Sequence, residues 1–304
     1  MTGFTRSLVS SALAAVVVLT AGALPALARS GTTTTGNDIS WPQCGGSYPA
    51  GQAFGIVGVN HGLANNLNSC LASELSWAAR STGSGLPTGF PKAALYVNTA
   101  DPGSVVPAVA DWPTSNVDPN GVSEYPSTTN PDPYGACTGT GTNNQACAWQ
   151  YGWNRAIRDM LWLVATPTSA GVSNLPSTYW WWLDVETGNT WESGSSTFLA
   201  NNVADLAGMV AAFRNTAETT PSGVLLGGKA VGIYSTSYQW GQITSSSAAG
   251  YDHLAGLPDW IPGARTLSGA QANCSLAGFT TMLGAGPTIT QWFGKPYDGD
   301  VACP

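Results

Sequence analysis

Residues 179–191 read YWWWLDVETGNTW, and this stretch decides which fold the rest of the chain is expected to adopt. Its first part, residues 179–186, is a short aromatic and branched run that ends at the turn residues TGN, which predicts a β-strand. Because side chains i and i+2 of a strand point to the same side, Asp184 and Glu186 share a face with Trp182. The intervening residues share the other face and should pack against helices. The stretch therefore predicts two carboxylates at the carboxyl end of a core strand.

Strands and helices alternate on both sides of this stretch, which indicates a mainly parallel sheet of the α/β class. A chain of this size with about eight strands favours a single β/α (TIM-like) barrel, with fewer helices in its second half. An open doubly wound sheet is the alternative, but no Gly-x-Gly-x-x-Gly follows a strand. The remaining predicted strands are 37–41, 53–60, 92–98, 229–235, 257–263 and 288–292, and the predicted helices are 70–81, 148–166, 196–218 and 237–244.

The first residues read as a secretory leader. Arg6 precedes an apolar run, and Ala26-Leu27-Ala28 fits a small-residue cleavage site, so we expect residues 1–28 to be a signal peptide; a membrane anchor is the alternative reading. Residues 29–36 are expected to be a flexible linker. Residues 37–304 then form the barrel, with one long insertion, rich in Pro, Gly, Asn and Thr, at about residues 100–147.

Composition limits the partners that the chain can bind. Only 9% of the residues are charged, the formal net charge is −7, and Lys plus Arg number 10, so nucleic acid is not an expected partner. Six cysteines in an exported chain should form disulfides, and fifteen pairings are open. With His61 and His253 as the two histidines, a zinc site is not expected. We expect a secreted monomer without metal or cofactor, which does not bind membranes once the leader is removed.

Further carboxylates lie near the two ends of the barrel sequence. Asp38 lies in the first predicted strand, and Asp298 and Asp300 follow the strand predicted at 288–292. In a closed barrel the first and last strands are neighbours, so Asp38 and Asp300 should reach the same mouth as Asp184 and Glu186. Two close carboxylates, one of which keeps a proton, provide the acid and the anion that glycoside hydrolysis requires. The competing reading is structural: helix caps, ion pairs or turn residues.

Aromatic residues are frequent, at 13 Trp, 10 Tyr and 7 Phe, and several lie at predicted strand ends, as Trp41 and Trp260 do. Sugar rings stack on such faces, although at least half of these residues should belong to the core. The predicted substrate contacts are Trp292, Tyr234, Trp182, His61, Asn98 and Gln291.

Five segments, in order over roughly residues 36–304, resemble the family 25 glycoside hydrolases, the lysozyme-like muramidases. They are NDISWPQCG, FGIVGVNHG, WLDVE, VGIYSTSYQW and ITQWFG…DGD. The resemblance implies a β/α barrel in which Glu186 is the general acid and Asp184 orients a substrate acetamide that itself supplies the nucleophile. It also implies that Asp38 and Asp300 position that pair.

The chain departs from the family pattern at two places. His61 stands where the family usually has Glu, and Asp300-Val301-Ala302 stands in place of Asp-x-Asn. The sequence therefore leaves two functions open: a secreted glycoside hydrolase acting on N-acetylated cell-wall glycan, and a non-catalytic carbohydrate-binding barrel. A Ser-His-Asp hydrolase is disfavoured because no Gly-x-Ser-x-Gly elbow is present. In such a barrel the expected disulfides are Cys44–Cys70, Cys137–Cys147 and Cys274–Cys303.

Overall fold

Eight strands close into a barrel in sequence order in the computed structural model, which describes residues 34–104, 111–116, 131–215, 219–220, 222–245, 253–275, 283 and 286–304. The strands are β1 (Thr34–Ile39), β2 (Phe54–Gly58), β3 (Ala93–Asn98), β4 (Trp180–Asp184), β5 (Ala230–Tyr234), β6 (Asp259–Ala264), β7 (Pro287–Trp292) and β8 (Gly299–Ala302). Strands β1 to β7 pair in parallel, and β8 runs antiparallel to both β7 and β1. The chain is thus a single TIM-like α/β barrel. Because the sheet is closed, the alternative of an open doubly wound sheet is excluded.

Within the described residues, five α-helices accompany the strands. They are α1 (Leu71–Ala79), α2 (Gln145–Ala165), α3 (Ser196–Arg214), α4 (Ser237–Thr244) and α5 (Leu267–Asn273). The last two, at 8 and 7 residues, are much shorter than α2 and α3, at 21 and 19 residues. Ser195 caps α3, since its side chain accepts a hydrogen bond from the backbone N–H of Phe198 at 3.2 Å. The two long helices, α2 and α3, pack against each other and cover the side of the barrel that carries β4.

The alternation predicted for β4 is confirmed. Trp181 faces outward and stacks on Phe213 of α3, with ring centroids 4.6 Å apart. Trp182 faces inward and belongs to the barrel interior, where it meets the edge of Trp260 at 5.8 Å. The inward row that begins with Trp182 continues to Asp184, so the strand delivers this carboxylate to the open end of the barrel.

Besides shifts of a few residues at other element ends, one boundary and two short elements differ from the sequence-based expectation. β1 begins at Thr34, so residues 34–36 belong to the sheet and not to the linker, because they pair with residues 300–302 of β8. The strand β8 itself and the helix α5 were not predicted, since four and seven residues are too few to show a periodic pattern. The expected signal peptide, residues 1–28, lies outside the described residues.

Three disulfides pair the six cysteines in the combination expected for the barrel, Cys44–Cys70, Cys137–Cys147 and Cys274–Cys303. The second pair fastens the end of the insertion to the first turn of α2. Across the described parts of the chain, no helix is both long and apolar enough to cross a bilayer.

Candidate active site

A pocket of about 110 Å³ opens at the carboxyl end of the parallel strands. This volume is smaller than the ~300–1,000 Å³ of most small-molecule sites. The pocket therefore holds a single chemical group of a ligand, and the rest of that ligand must lie on the rim. Its lining consists of Asp38, Tyr96, Asp184, Glu186, Tyr234, Trp260, Gln291 and Asp298.

A chain of hydrogen bonds crosses the pocket floor from β5 to β1. The Tyr234 hydroxyl donates to Oε1 of Gln291 at 3.0 Å, and Nε2 of Gln291 donates to Oδ2 of Asp38 at 2.8 Å. Burial raises the pKa of Asp38 to about 6, an effect that the Gln291 bond opposes and the charge of Asp298 increases. Asp38 therefore changes its protonation state in the mildly acidic range.

Asp300 lies directly behind Asp38, inside β8 and not after the last strand as predicted. It is fully buried, and its Oδ1 accepts from the indole Nε1 of Trp260 at 3.0 Å. Burial, together with the negative charge of Asp38, raises the pKa of Asp300 well above its ordinary value and favours the protonated carboxyl as a hydrogen-bond donor toward Asp38. The antiparallel β8 brings about this contact, because it places residue 300 beside Gln291 and Gly36.

Asp184 and Glu186 approach the pocket from β4. Asp184 is buried, and its Oδ1 has no hydrogen-bond partner within the described residues. Burial raises the pKa of Asp184 well above its ordinary value, and the charges of Glu186 and Asp38 raise it further. Burial also raises the pKa of the half-buried Glu186, while a hydrogen bond with Gln239 of α4 lowers it. Two carboxyl groups coupled in this way do not ionise independently, because the charge of one raises the pKa of the other.

Side-chain donors hold the loop after β4 by hydrogen bonds to its backbone carbonyl oxygens. The carbonyl oxygen of Asp184 accepts from the Thr99 hydroxyl at 2.6 Å and from Nδ2 of Asn189 at 3.1 Å. The carbonyl oxygen of Glu186 accepts from Nε1 of Trp191 at 2.9 Å. These bonds use the backbone carbonyl oxygens, so the carboxyl groups of Asp184 and Glu186 take no part in holding the loop. The described ion pairs join Arg155 and Arg158 to Asp111, so neither carboxylate of β4 takes part in them.

The predicted substrate contacts divide into two groups. Tyr234 and Gln291 line the pocket. Asn98 pairs in register with Asp184 at the end of β3 but is not part of the lining. The other three lie elsewhere: Trp182 is buried in the barrel interior, Trp292 covers Gly299, and His61 is exposed and packs at a tilt against Trp41, with ring centroids 4.2 Å apart.

Trp182 is 1% exposed, so the structure places it below the surface of the pocket, and its predicted contact with substrate stays a prediction. Strand alternation gives the side to which a residue points, but not its depth along the barrel axis. Trp182 lies one layer below Asp184, where bulky residues fill the barrel.

Sequence reasoning missed two residues that the structure brings to the site, Tyr96 and Gln239. Tyr96 occupies an inward position of β3, level with Trp182, and burial raises the pKa of its hydroxyl far above the usual range, so that it acts as a neutral phenol. A tyrosine at an inward position of a core strand was the signal available for it. Gln239 lies on a helix, and no pattern in the sequence indicated that it reaches Glu186.

The insertion does not cover the pocket in the part of it that the structure describes, residues 100–104, 111–116 and 131–147. Within the insertion, Nε1 of Trp112 donates to the carbonyl oxygen of Thr142 at 2.8 Å, and the Trp112 ring stacks on Tyr151 of α2 at 5.2 Å. Within the described residues, no group of His, Cys, Asp and Glu is arranged to hold a metal ion.

No protein-family model matches the chain, and no curated protein sequence matches it. Among solved structures, the chain is similar to GHIP, a glycosyl hydrolase 25 of Streptococcus pneumoniae that is described as a virulence factor participating in host cell invasion. The two chains are 11% identical, the TM-score is 0.40, and the match covers 89% of this chain and 87% of the other. A likeness at that level carries no argument about activity.

Proposed function

We propose that this protein is a secreted glycoside hydrolase that cleaves N-acetylated cell-wall glycan. The observation that carries the proposal is the convergence of Asp38, Asp184 and Glu186 in one pocket at the carboxyl end of the barrel strands. This is the end at which TIM barrels perform chemistry, and the raised pKa values of these groups supply a proton donor near neutral pH.

The two carboxyl groups of β4 take different roles because their surroundings differ. Oδ1 of Asp184 is buried without a hydrogen-bond donor, so an acetamide N–H of the substrate would satisfy it and favour its anionic form. The proton of this coupled pair then resides on Glu186, the more exposed of the two, which donates it to the leaving-group oxygen. Asp184 meanwhile holds the acetamide, whose oxygen attacks the sugar ring, a known exception to the scheme with two acting carboxylates.

Asp38 and Asp300 support this pair from the other side of the pocket. The proton held between them keeps the negative charge near Asp184 small, and Gln291 fixes the orientation of Asp38. On this account they are positioning residues, not the groups that act on the glycosidic bond.

The test compares Glu186→Gln with the parent protein in two assays, the clearing of a cell-wall suspension and the release of reducing ends from purified wall glycan. Loss of a general acid should lower the rate about 10²–10⁴-fold. Glu74→Gln is the matched control: Glu74 is a buried glutamate of α1 whose pKa burial raises to about 7, it lies outside the pocket, and Gln keeps an oxygen for its bond from Asn68. Equal rates for Glu186→Gln and the parent contradict the assignment.

The second candidate is a carbohydrate-binding barrel without hydrolysis. His61 motivates it, since this residue stands where the resembled family usually has Glu, and in the structure it is exposed and outside the pocket. Binding of the glycan without release of reducing ends, unchanged in Glu186→Gln, would establish this function instead.

A further inference from the structure

The exposed aromatic side chains are concentrated at one end of the barrel. Across the described residues, the large exposed aromatics are Trp41, Phe198, Tyr238 and Phe293. Each follows the carboxyl end of a strand: they come after β1, β4, β5 and β7, in that order. Exposed leucines, by contrast, occur at both ends. Within the described residues, large aromatic side chains are therefore exposed at the end of the barrel that carries the pocket and not at the opposite end.

Two of these residues lie on opposite sides of the pocket. Trp41 follows β1 and Tyr238 follows β5, and in a ring of eight strands these two are four strands apart in either direction. Trp41 is three residues beyond Asp38, and Tyr238 is the neighbour of Gln239, which is hydrogen-bonded to Glu186. The two residues therefore flank the ring of strands from opposite sides.

The Trp41 ring is held rigidly although 38% of the residue is exposed. It begins a short 3-10 turn in which Oε1 of Gln43 accepts from the backbone N–H of Ser40 at 2.9 Å, and the turn ends at the disulfide-bonded Cys44. The His61 ring lies against it at 4.2 Å. The following residue, Gly62, has a φ of +68°, and a Cβ there would come within 2.9 Å of the indole nitrogen.

Tyr238 is more exposed and stands on a capped helical turn. It lies in the first turn of α4, which Thr236 caps by accepting from the backbone N–H of Gln239 at 3.1 Å, and 73% of it is exposed. Rigid aromatic rings bind with little loss of conformational entropy. An exposed aromatic ring on a constrained backbone is therefore a surface suited to a ligand.

We propose that Trp41 and Tyr238 are two stacking positions that bind sugar rings of the glycan on either side of the pocket. The inference rests on the proposed function, because it takes its occupant to be the same N-acetylated glycan. The pocket itself has room for one group, so a polymer must continue over the rim in both directions. The apolar C–H faces of sugar rings suit aromatic platforms, and the scarcity of charge, at 9% of residues, suits a largely neutral polymer.

The test measures affinity by calorimetry in the Glu186→Gln background, which prevents turnover. The probes are β-1,4-linked N-acetylglucosamine oligomers of two and six sugars. We expect the six-sugar oligomer to bind at least about tenfold more tightly than the two-sugar one, and Trp41→Ala and Tyr238→Ala each to remove about tenfold of its affinity. Trp41→Phe and Tyr238→Phe should retain most of it. Leu225→Ala, which removes an exposed apolar side chain at the opposite end, is the control.

The proposal is overturned if the six-sugar oligomer binds no more tightly than the two-sugar one, or if the two alanine variants bind it like the parent. Failure of the proposed function is a different result. If the wall-clearing rate depends on Glu186 but oligomer binding does not depend on Trp41 and Tyr238, the hydrolase assignment is supported and the two stacking positions are contradicted. If oligomer binding depends on Trp41 and Tyr238 but the protein does not clear the cell-wall suspension, the stacking positions are supported and the hydrolase assignment is contradicted.

Discussion

Replacing Asp38 with Asn should make the stability of the protein less dependent on pH. The carboxyl of Asp38 has a pKa of about 6 in the folded chain, against 3.8 ordinarily, and burial is the main cause. Asn keeps the shape of the side chain and an oxygen that accepts from Gln291, but it cannot ionise. Burial, the largest cause of the raised pKa of Asp300, is unchanged in the variant.

The sign and the size follow from linkage. Below pH 3.8 the carboxyl is protonated in both the folded and the unfolded chain, so the full stability is present. Between 3.8 and about 6 the unfolded chain ionises while the folded chain keeps its proton, and each pH unit lowers the free energy of unfolding by ~1.4 kcal/mol. The whole interval corresponds to about 3 kcal/mol as an upper bound. Because Asp38 is partly exposed and shares a proton with Asp300, we expect about 2 kcal/mol.

The assay is urea unfolding at several pH values between 4 and 7, with the disulfides intact and tryptophan fluorescence as the signal. The wild-type protein should lose stability relative to Asp38→Asn as the pH rises, and the difference should level off above pH 6. A difference that stays constant across this range, or a wild type that gains stability relative to the variant, would refute the proposed protonation of the pocket.

Two further predictions concern the elements that hold the pocket together. Removing the Cys274–Cys303 disulfide with a double alanine substitution frees a loop of 29 residues, which the chain-entropy model values at about 3.5 kcal/mol. Urea unfolding of the double variant measures this loss, and a loss below about 1 kcal/mol contradicts the prediction. Tyr234→Phe removes the hydroxyl that donates to Gln291 and should lower the free energy of unfolding by about 1 kcal/mol. Thermal unfolding of this variant at pH 7 tests it, and an unchanged melting temperature counts against the hydrogen-bond chain across the pocket floor.

The sequence predicted the barrel because its strongest strands carry an unambiguous pattern. In β4 the alternation fixed which residues face the helices and which face the interior, and both assignments are confirmed by the packing of Trp181 and Trp182. The same pattern could not give depth, so Trp182 was expected at the surface of the site although it fills the barrel below it.

The features that the sequence did not reveal depend on contacts with distant parts of the chain, and not on a periodic pattern of residues within their own segment. The strand β8 has four residues, one of which is the buried Asp300, and it becomes a strand only because β1 and β7 supply partners on both sides. The contact between Glu186 and Gln239 joins two elements that approach each other only in the closed barrel. Neither feature has a periodic signature within its own segment.

The strand β8 also couples the protonation of the pocket carboxyl groups to the stability of the C-terminal segment. Asp300 is the residue of β8 that holds a proton against Asp38, and the Cys274–Cys303 disulfide fastens the residue that follows β8 to the end of α5. A change that loosens β8 therefore alters the proton held at Asp38 before it opens the rest of the barrel. For this reason the disulfide variant should shift the pH dependence of stability as well as its magnitude, whereas Cys137–Cys147, which lies in the insertion, should affect magnitude alone.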